Sequence, residues 1–158
     1  MLDPDLFRSA LGRFASGVAV VTTADANRRP HGMTVNAFCS VSLAPPLVLM
    51  CIDRQASMYS VLRETGHFVV NVLSSTQEAI SRRFADVEDG ERFDGIGYQA
   101  ARRGAAILDD VITYLECDLI RCDDVGDHGI FVGEVEHAVI LEGAPLLYYR
   151  SGYARLER

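Results

Sequence analysis

A chain of 158 residues, 49% hydrophobic and 23% charged, has the size and composition of one globular domain, which buries its core without metal or disulfide help. Its net charge of −7 excludes the clustered basic face that nucleic-acid binding requires. No apolar run reaches membrane-spanning length, and the opening MLDPDLFRSALGRF lacks the apolar stretch of a signal peptide, so a cytoplasmic protein without a membrane partner is expected.

Asp3-Pro4 starts a helix, with a capping acid followed by proline in the first turn. Leu6, Phe7, Ala10, Leu11 and Phe14 follow at helical spacing and give it one apolar face, with Gly17 as its expected end. Val18 to Thr23 is a β-branched run that reads as a buried strand. After a polar turn at Ala24 to Pro30, the segment from Gly32 to Asp53 supplies two more strands around a break at Pro45-Pro46. Ala56 to Thr65 carries Met58, Val61 and Leu62 on one face and Gly66 beyond its end, which predicts a helix. His67 to Leu73 reads as a central strand. Ser75-Thr76-Gln77-Glu78 has the form of a capping box opening a helix with Ile80 and Phe84 one turn apart. Asp86 to Gly104 is polar and glycine-bearing, a long surface excursion of the kind that is usually functional or mobile. The last third alternates apolar and polar residues, as antiparallel strands do: Leu115, Cys117 and Leu119, then Phe131, Val135 and Val139, then Leu146 to Arg150. A turn from Asp123 to Gly129 separates the first two. Short strands, few helices and no βα rhythm predict one mainly β domain over residues 1–158, an antiparallel barrel with peripheral helices. No GxGxxG follows a strand, so a doubly wound nucleotide fold is disfavoured.

Four constellations carry candidate chemistry. Between Met33 and Ser42, the short polar side chains of Asn36, Ser40 and Ser42 suit a flat, polar-edged ring lying against a sheet. They equally suit a half-exposed strand with one wet face. Asp53-Arg54-Gln55-Ala56-Ser57 precedes or opens a helix, where free amides, the Ser57 hydroxyl and Arg54 can receive a phosphate or simply cap the helix. Arg82-Arg83-Phe84 adds two cations, which also favour a helix C-terminus without any ligand. Gly126-Asp127-His128 projects an imidazole from a tight turn, with Asp127 placed to set its tautomer. Tyr148 to Tyr153 brings aromatics and Arg150, either for stacking on a ring or for packing a closing strand. Cys39, Cys51, Cys117 and Cys122 form no CxxC pair, and no histidine stands at metal-site spacing from them. They are expected to be small buried core residues, with no metal site.

The segments FRSALGRFASGVAVVTT, GMTVNAFCSVSLAPPLVLMCID, RRFAD, FDGIGY, GDH and PLLYYRSGY occur in an order that resembles the flavin reductase-like family with the FMN-binding split barrel. The likeness runs from about Phe7 to Tyr153. It implies a homodimeric split β-barrel, an NAD(P)H:flavin oxidoreductase that passes hydride from NADH or NADPH to FMN or FAD and supplies a partner monooxygenase. By the same resemblance Met33, Thr34, Val35, Asn36, Ala37, Ser40, Val41 and Ser42 line the flavin. Cys51, Ile52, Asp53, Ser57, Met58, Arg83 and Phe84 lie near its phosphate or adenylate. Gly126, Asp127 and His128 match the nicotinamide motif, with Tyr149 and Arg150 beside it, and His128 is the residue assigned to the reaction. Ser151 stands where many relatives have glycine. A flavin carrier that does not reduce its ligand, and a split-barrel oxidase with tightly bound FMN, are the alternatives.

Overall fold

Asp3 starts the first helix as its chemistry requires: its carboxylate accepts the backbone N–H of Asp5, and α1 runs Pro4–Leu11. The structure, a computed structural model, describes residues 1–157. α1 ends at Gly12 rather than Gly17, because the next residues turn back and Ser16–Gly17 pairs as a short strand, β1. The apolar face of α1 is on the outside of the chain, with Leu6, Phe7 and Leu11 each more than half exposed.

Strands β2 (Ala19–Ala24), β3 (Pro30–Val35), β4 (Phe38–Ser42) and β5 (Leu47–Asp53) come next. Helix α2 (Ser57–Thr65), β6 (His67–Val72) and helix α3 (Glu78–Asp86) follow. The polar stretch after α3 is more ordered than expected. It contains a short 3-10 turn at Asp89–Glu91 and a small hairpin of β7 (Tyr98–Ala100) and β8 (Ala106–Leu108). Phe93 seals it to the body by packing on Phe84, ring centroids 4.9 Å apart. Two long strands, β9 (Thr113–Val125) and β10 (His128–Ile140), and a closing hairpin of β11 (Leu146–Tyr149) and β12 (Gly152–Arg155) complete the chain.

The main sheet has seven strands in the order β3-β2-β6-β9-β10-β5-β4, every neighbour antiparallel. Its two edge strands, β3 and β4, are consecutive and joined only by Asn36 and Ala37. Six strand spacings would hold the edges of a flat sheet roughly 29 Å apart, whereas a link from Val35 to Phe38 reaches about 11 Å. The sheet is therefore rolled. β3 and β4 do not pair, so the roll stays split along those edges, as the expected architecture requires.

Alternation along β2 feeds two cores. Val21 joins Met50, Ile52, Leu62, Phe68 and Phe131 inside the roll, while Val20 joins Leu73, Phe84 and Leu108 beneath α3. Asn71, fully buried, ties β8 to the sheet. Its amide donates to Val20 O at 3.1 Å and Ala106 O at 3.2 Å, and its oxygen accepts Leu108 N–H at 2.9 Å.

Two local expectations are corrected. The capping frame lies one residue earlier than Ser75–Glu78: Gln77 Oε1 reaches back to Ser74 N at 3.0 Å, and no side chain caps α3 from Gln77 itself. Of the cysteines only Cys117 is buried; Cys51 and Cys122 are half-buried and Cys39 is exposed, because β4 is an edge strand. Burial pushes the Cys117 thiol up to about 12. Among the described residues, no group of histidine, cysteine and carboxylate side chains is placed to hold a metal.

Candidate functional site

β5 brings the sequence-distant pieces together. On one side, Ala37 O accepts Cys51 N–H at 3.0 Å. On the other, the register pairs Cys51 with Ile130 and Asp53 with His128. The Asn36-Ala37 link and the histidine turn therefore lie at one end of the sheet, about two strand spacings or ~10 Å apart across β5.

At this end the β3 and β4 edges leave backbone N–H and C=O groups without strand partners. Asn36, Ala37, Ser40 and Val41 are exposed and Ser42 is half-buried, so short side chains leave those edges open to approach. The Thr34 hydroxyl is already engaged, donating to Ser81 O at 2.7 Å. A groove of about 180 Å³ beside it is lined by Val18, Thr34, Asn36, Ser81, Ala85, Tyr148 and Tyr153. Tyr148 and Tyr153 are cross-strand partners, and their rings meet edge to face at 5.4 Å. Ser81 Oγ and Tyr153 OH share a hydrogen bond of 2.7 Å, and the Arg82 guanidinium sits 4.9 Å from the Tyr153 ring centre.

The second half of the site is an open concavity of about 740 Å³ lined by Asp53, Arg54, Gln55, Tyr59, Gly126 and Asp127. α2 begins there without a side-chain cap, because its N-cap is Ala56, and its first turn holds no acid. Uncapped amides at a helix start, with the Ser57 hydroxyl and Arg54 beside them, suit a phosphate. Arg54 N–H donates to Asp127 O at 3.0 Å, which fixes the helix start to the histidine turn.

The strands run further than the expected turn, so β9 and β10 are joined by only Gly126 and Asp127. The two glycines flanking the acid and imidazole have different reasons. Gly126 adopts φ +61°, where a side chain is strained. Gly129 lies beneath an aromatic pair: a Cβ there would stand 2.7 Å from the Tyr59 ring and 2.9 Å from Phe131. His128 Nδ1 lies 2.6 Å from Asp127 Oδ1. That hydrogen bond, and then the imidazole charge, hold the Asp127 carboxyl below the ordinary carboxylate range. The Tyr59 hydroxyl donates to Asp124 and accepts from Arg63 Nη1 at 2.7 Å. The Asp124 contact, then burial, raise its pKa.

Several expected contact residues have other work. Ile52, Met58 and Phe84 are buried at 0%, 1% and 0% exposure, so their side chains serve the cores. Val35 is likewise buried and Met33 packs against the same core. The Arg83 guanidinium is spent on the carbonyls of Glu91, Arg92 and Asp94, at 2.7 to 2.8 Å, which pins the segment after α3. Tyr149 and Arg150 sit at the tip of the β11–β12 hairpin, where Arg150 N–H donates to Gly12 O. Neither lines the concavity beside Gly126 and Asp127. Their neighbours Tyr148 and Tyr153, with Ser81 and Ala85, line the groove instead. Strand alternation marks Tyr148 as facing opposite to Tyr149, but the partner element is visible only in three dimensions.

The family profile described as "Flavin reductase like domain" matches residues 11–157. The chain belongs to that family. It is 40% identical over 153 residues to a flavin reductase of Pseudomonas putida, covering 96% of this chain and 89% of the relative. It is 41% identical over 165 residues to an NADH-dependent flavin reductase of a Rhodococcus species, covering 99% and 90%. Among solved structures, the NADH:FAD oxidoreductase SgcE6 of Streptomyces globisporus C-1027 superposes with a TM-score of 0.92 at 36% identity, covering 100% of this chain and 98% of that one.

Proposed function

We propose that this chain is a flavin reductase that takes hydride from NADH or NADPH to FMN or FAD, acts as a homodimer and hands the reduced flavin to a separate monooxygenase. The observation that carries the reading is the convergence across β5: an open strand edge at Asn36-Ala37 and a projecting imidazole at His128, about 10 Å apart. The names of the Pseudomonas and Rhodococcus relatives agree with the reaction, and the latter favours NADH as donor.

The residues fit the ligands. Unpaired backbone groups of β3 and β4 offer donors and acceptors to the rim of an isoalloxazine, and the Asn36 amide adds both. Uncapped amides of α2, with Arg54 and Ser57, hold a phosphate. Asp127 accepts from Nδ1–H of His128, which leaves Nε2 to hydrogen-bond a nicotinamide carboxamide. Hydride exchange between stacked rings is chemistry that the flavin itself supplies. The chain binds, orients and shields the rings, and no acid–base pair is called upon.

Pairing of two copies is supported by uncovered apolar surface. Alternation in β5 and β10 sends Val48, Met50 and Phe131 inward and leaves Leu49, Cys51, Ile130 and Val132 half-buried on the outer face. Val41 on the neighbouring edge and the face of α1 are exposed as well.

Anaerobic mixing with NADH and either flavin tests the reaction. The reductase bleaches the flavin's visible absorbance, whereas a carrier binds flavin and leaves its colour. Sedimentation of the purified chain tests the homodimer.

A further inference from the structure

Tyr59, in the first turn of α2, lines the concavity together with Gly126 and Asp127. Both its ring and its hydroxyl are held by the β9–β10 hairpin that carries the histidine. The ring stands edge-on to Phe131, centroids 5.5 Å apart, and fills the space over Gly129, where a Cβ would meet it at 2.7 Å. The hydroxyl donates to Asp124, which the register places directly across from Gly129. Arg63, one turn further along α2, donates to the same oxygen at 2.7 Å. Tyr59 therefore spans the hairpin, from the β10 backbone beneath its ring to the β9 carboxylate at its hydroxyl.

Strand alternation sends Gly129, Phe131 and the paired Asp124 to the inner face and turns His128 to the outer one. Tyr59 thus reaches the imidazole only through the backbone of Gly129, the next residue. Two anchors from the start of α2 hold the hairpin: Arg54 N–H on Asp127 O at 3.0 Å, and Tyr59 on Asp124. A turn held at one point can swing about it, and a second point fixes its direction.

We propose that Tyr59 is a positioning residue for nicotinamide recognition, its hydroxyl bond to Asp124 setting the direction in which the β9–β10 turn presents His128. The inference rests on the proposed reading of His128 as the group that holds the nicotinamide. Phenylalanine would fill the space over Gly129 equally well, so packing asks only for the ring. The hydroxyl is what the contact across the hairpin uses. Arg63 and Asp124 are 48% and 45% exposed, so removing the hydroxyl strands no buried charge and the fold should survive.

Tyr59→Phe, Asp124→Ala and the two combined, in protein carrying ¹⁵N-labelled histidine, test the assignment, with His128→Ala identifying the His128 ring signals. Each single variant is expected to shift those signals. Each should also raise the Michaelis constant for NADH about threefold to tenfold, with kcat within about twofold and flavin affinity kept. The combined variant should be no worse than either single one, because both remove the same bond. Asp124→Asn retains an acceptor and should stay within about twofold of the unaltered chain. Unmoved ring signals, an unchanged Michaelis constant, additive losses in the combined variant, an equal loss of flavin affinity, or a loss in Asp124→Asn as large as in Asp124→Ala would overturn the proposal. If the unaltered chain oxidises no NADH, the reductase reading fails by itself, and the ring signals alone decide whether Tyr59 positions His128.

Discussion

Arg54 N–H donates to the carbonyl of Asp127 at 3.0 Å, so the uncapped start of α2 and the turn that carries His128 are fixed to one another. On the proposed reading, a phosphate at the helix start and a carboxamide at the imidazole would be held at a set separation. A nicotinamide dinucleotide presents both kinds of group along its length. The same turn is paired with Asp53, the last residue of the strand whose opposite side meets Ala37.

Replacing His128 by alanine removes the group proposed to hold the nicotinamide and touches no core residue. The Michaelis constant for NADH is expected to rise roughly fivefold to tenfold, the worth of one hydrogen bond, with flavin affinity nearly intact. Steady-state kinetics and a flavin titration read the two separately. Equal loss of flavin binding would refute the assignment.

Gly129→Ala should destabilise the fold by about 1–3 kcal/mol, because its Cβ would press into the Tyr59 and Phe131 rings. Gly126→Ala meets no atom within 4 Å and costs only the strain of φ +61°, about 1 kcal/mol. Urea unfolding should rank the two in that order.

Arg150 and Ser151 both have positive φ, 51° and 62°, in the two-residue β11–β12 hairpin. Such turns favour glycine. Ser151→Gly is therefore expected to raise stability by about 0.5–1 kcal/mol despite its greater freedom when unfolded. An unchanged or lower melting temperature would show that the serine is not strained.

Acid stability should depend on the β2–β3 turn. His31 lies between two carboxylates, with Nε2 3.0 Å from Asp25 and Nδ1 3.5 Å from Asp89. The His31 contact, then backbone N–H groups of Arg29 and Asn27, hold the Asp25 carboxyl below its ordinary value. A carboxyl depressed on folding binds fewer protons in the native state. Its contribution is present above the unfolded value of about 4 and is lost as pH falls through the folded value. Asp25→Asn should flatten the stability profile below about pH 4 and weaken the turn at neutral pH, as chemical denaturation across pH would show.

Local chemistry was enough for the sequence to mark α1 at Asp3-Pro4, α2 before Gly66, and the alternating strands β9 and β10. Period and capping are properties of neighbouring residues, and so are the short polar side chains between Asn36 and Ser42 and the Gly126-Asp127-His128 turn. The role of Arg83 was not legible, since its guanidinium is claimed by carbonyls of the segment after α3. Nor was it visible that Gly129 makes room for Tyr59, or that Tyr148 rather than Tyr149 faces the groove. Those facts depend on which distant element arrives opposite, and that is set by the rolling of the sheet. The capping frame slipped by one residue for a related reason: Ser74, held by a bridge to Pro145, is the residue that Gln77 can reach. Sequence determined the elements and the kinds of chemistry they carry. Tertiary structure decided which of those residues meet, because β5 alone places Ala37 and His128 on its two sides.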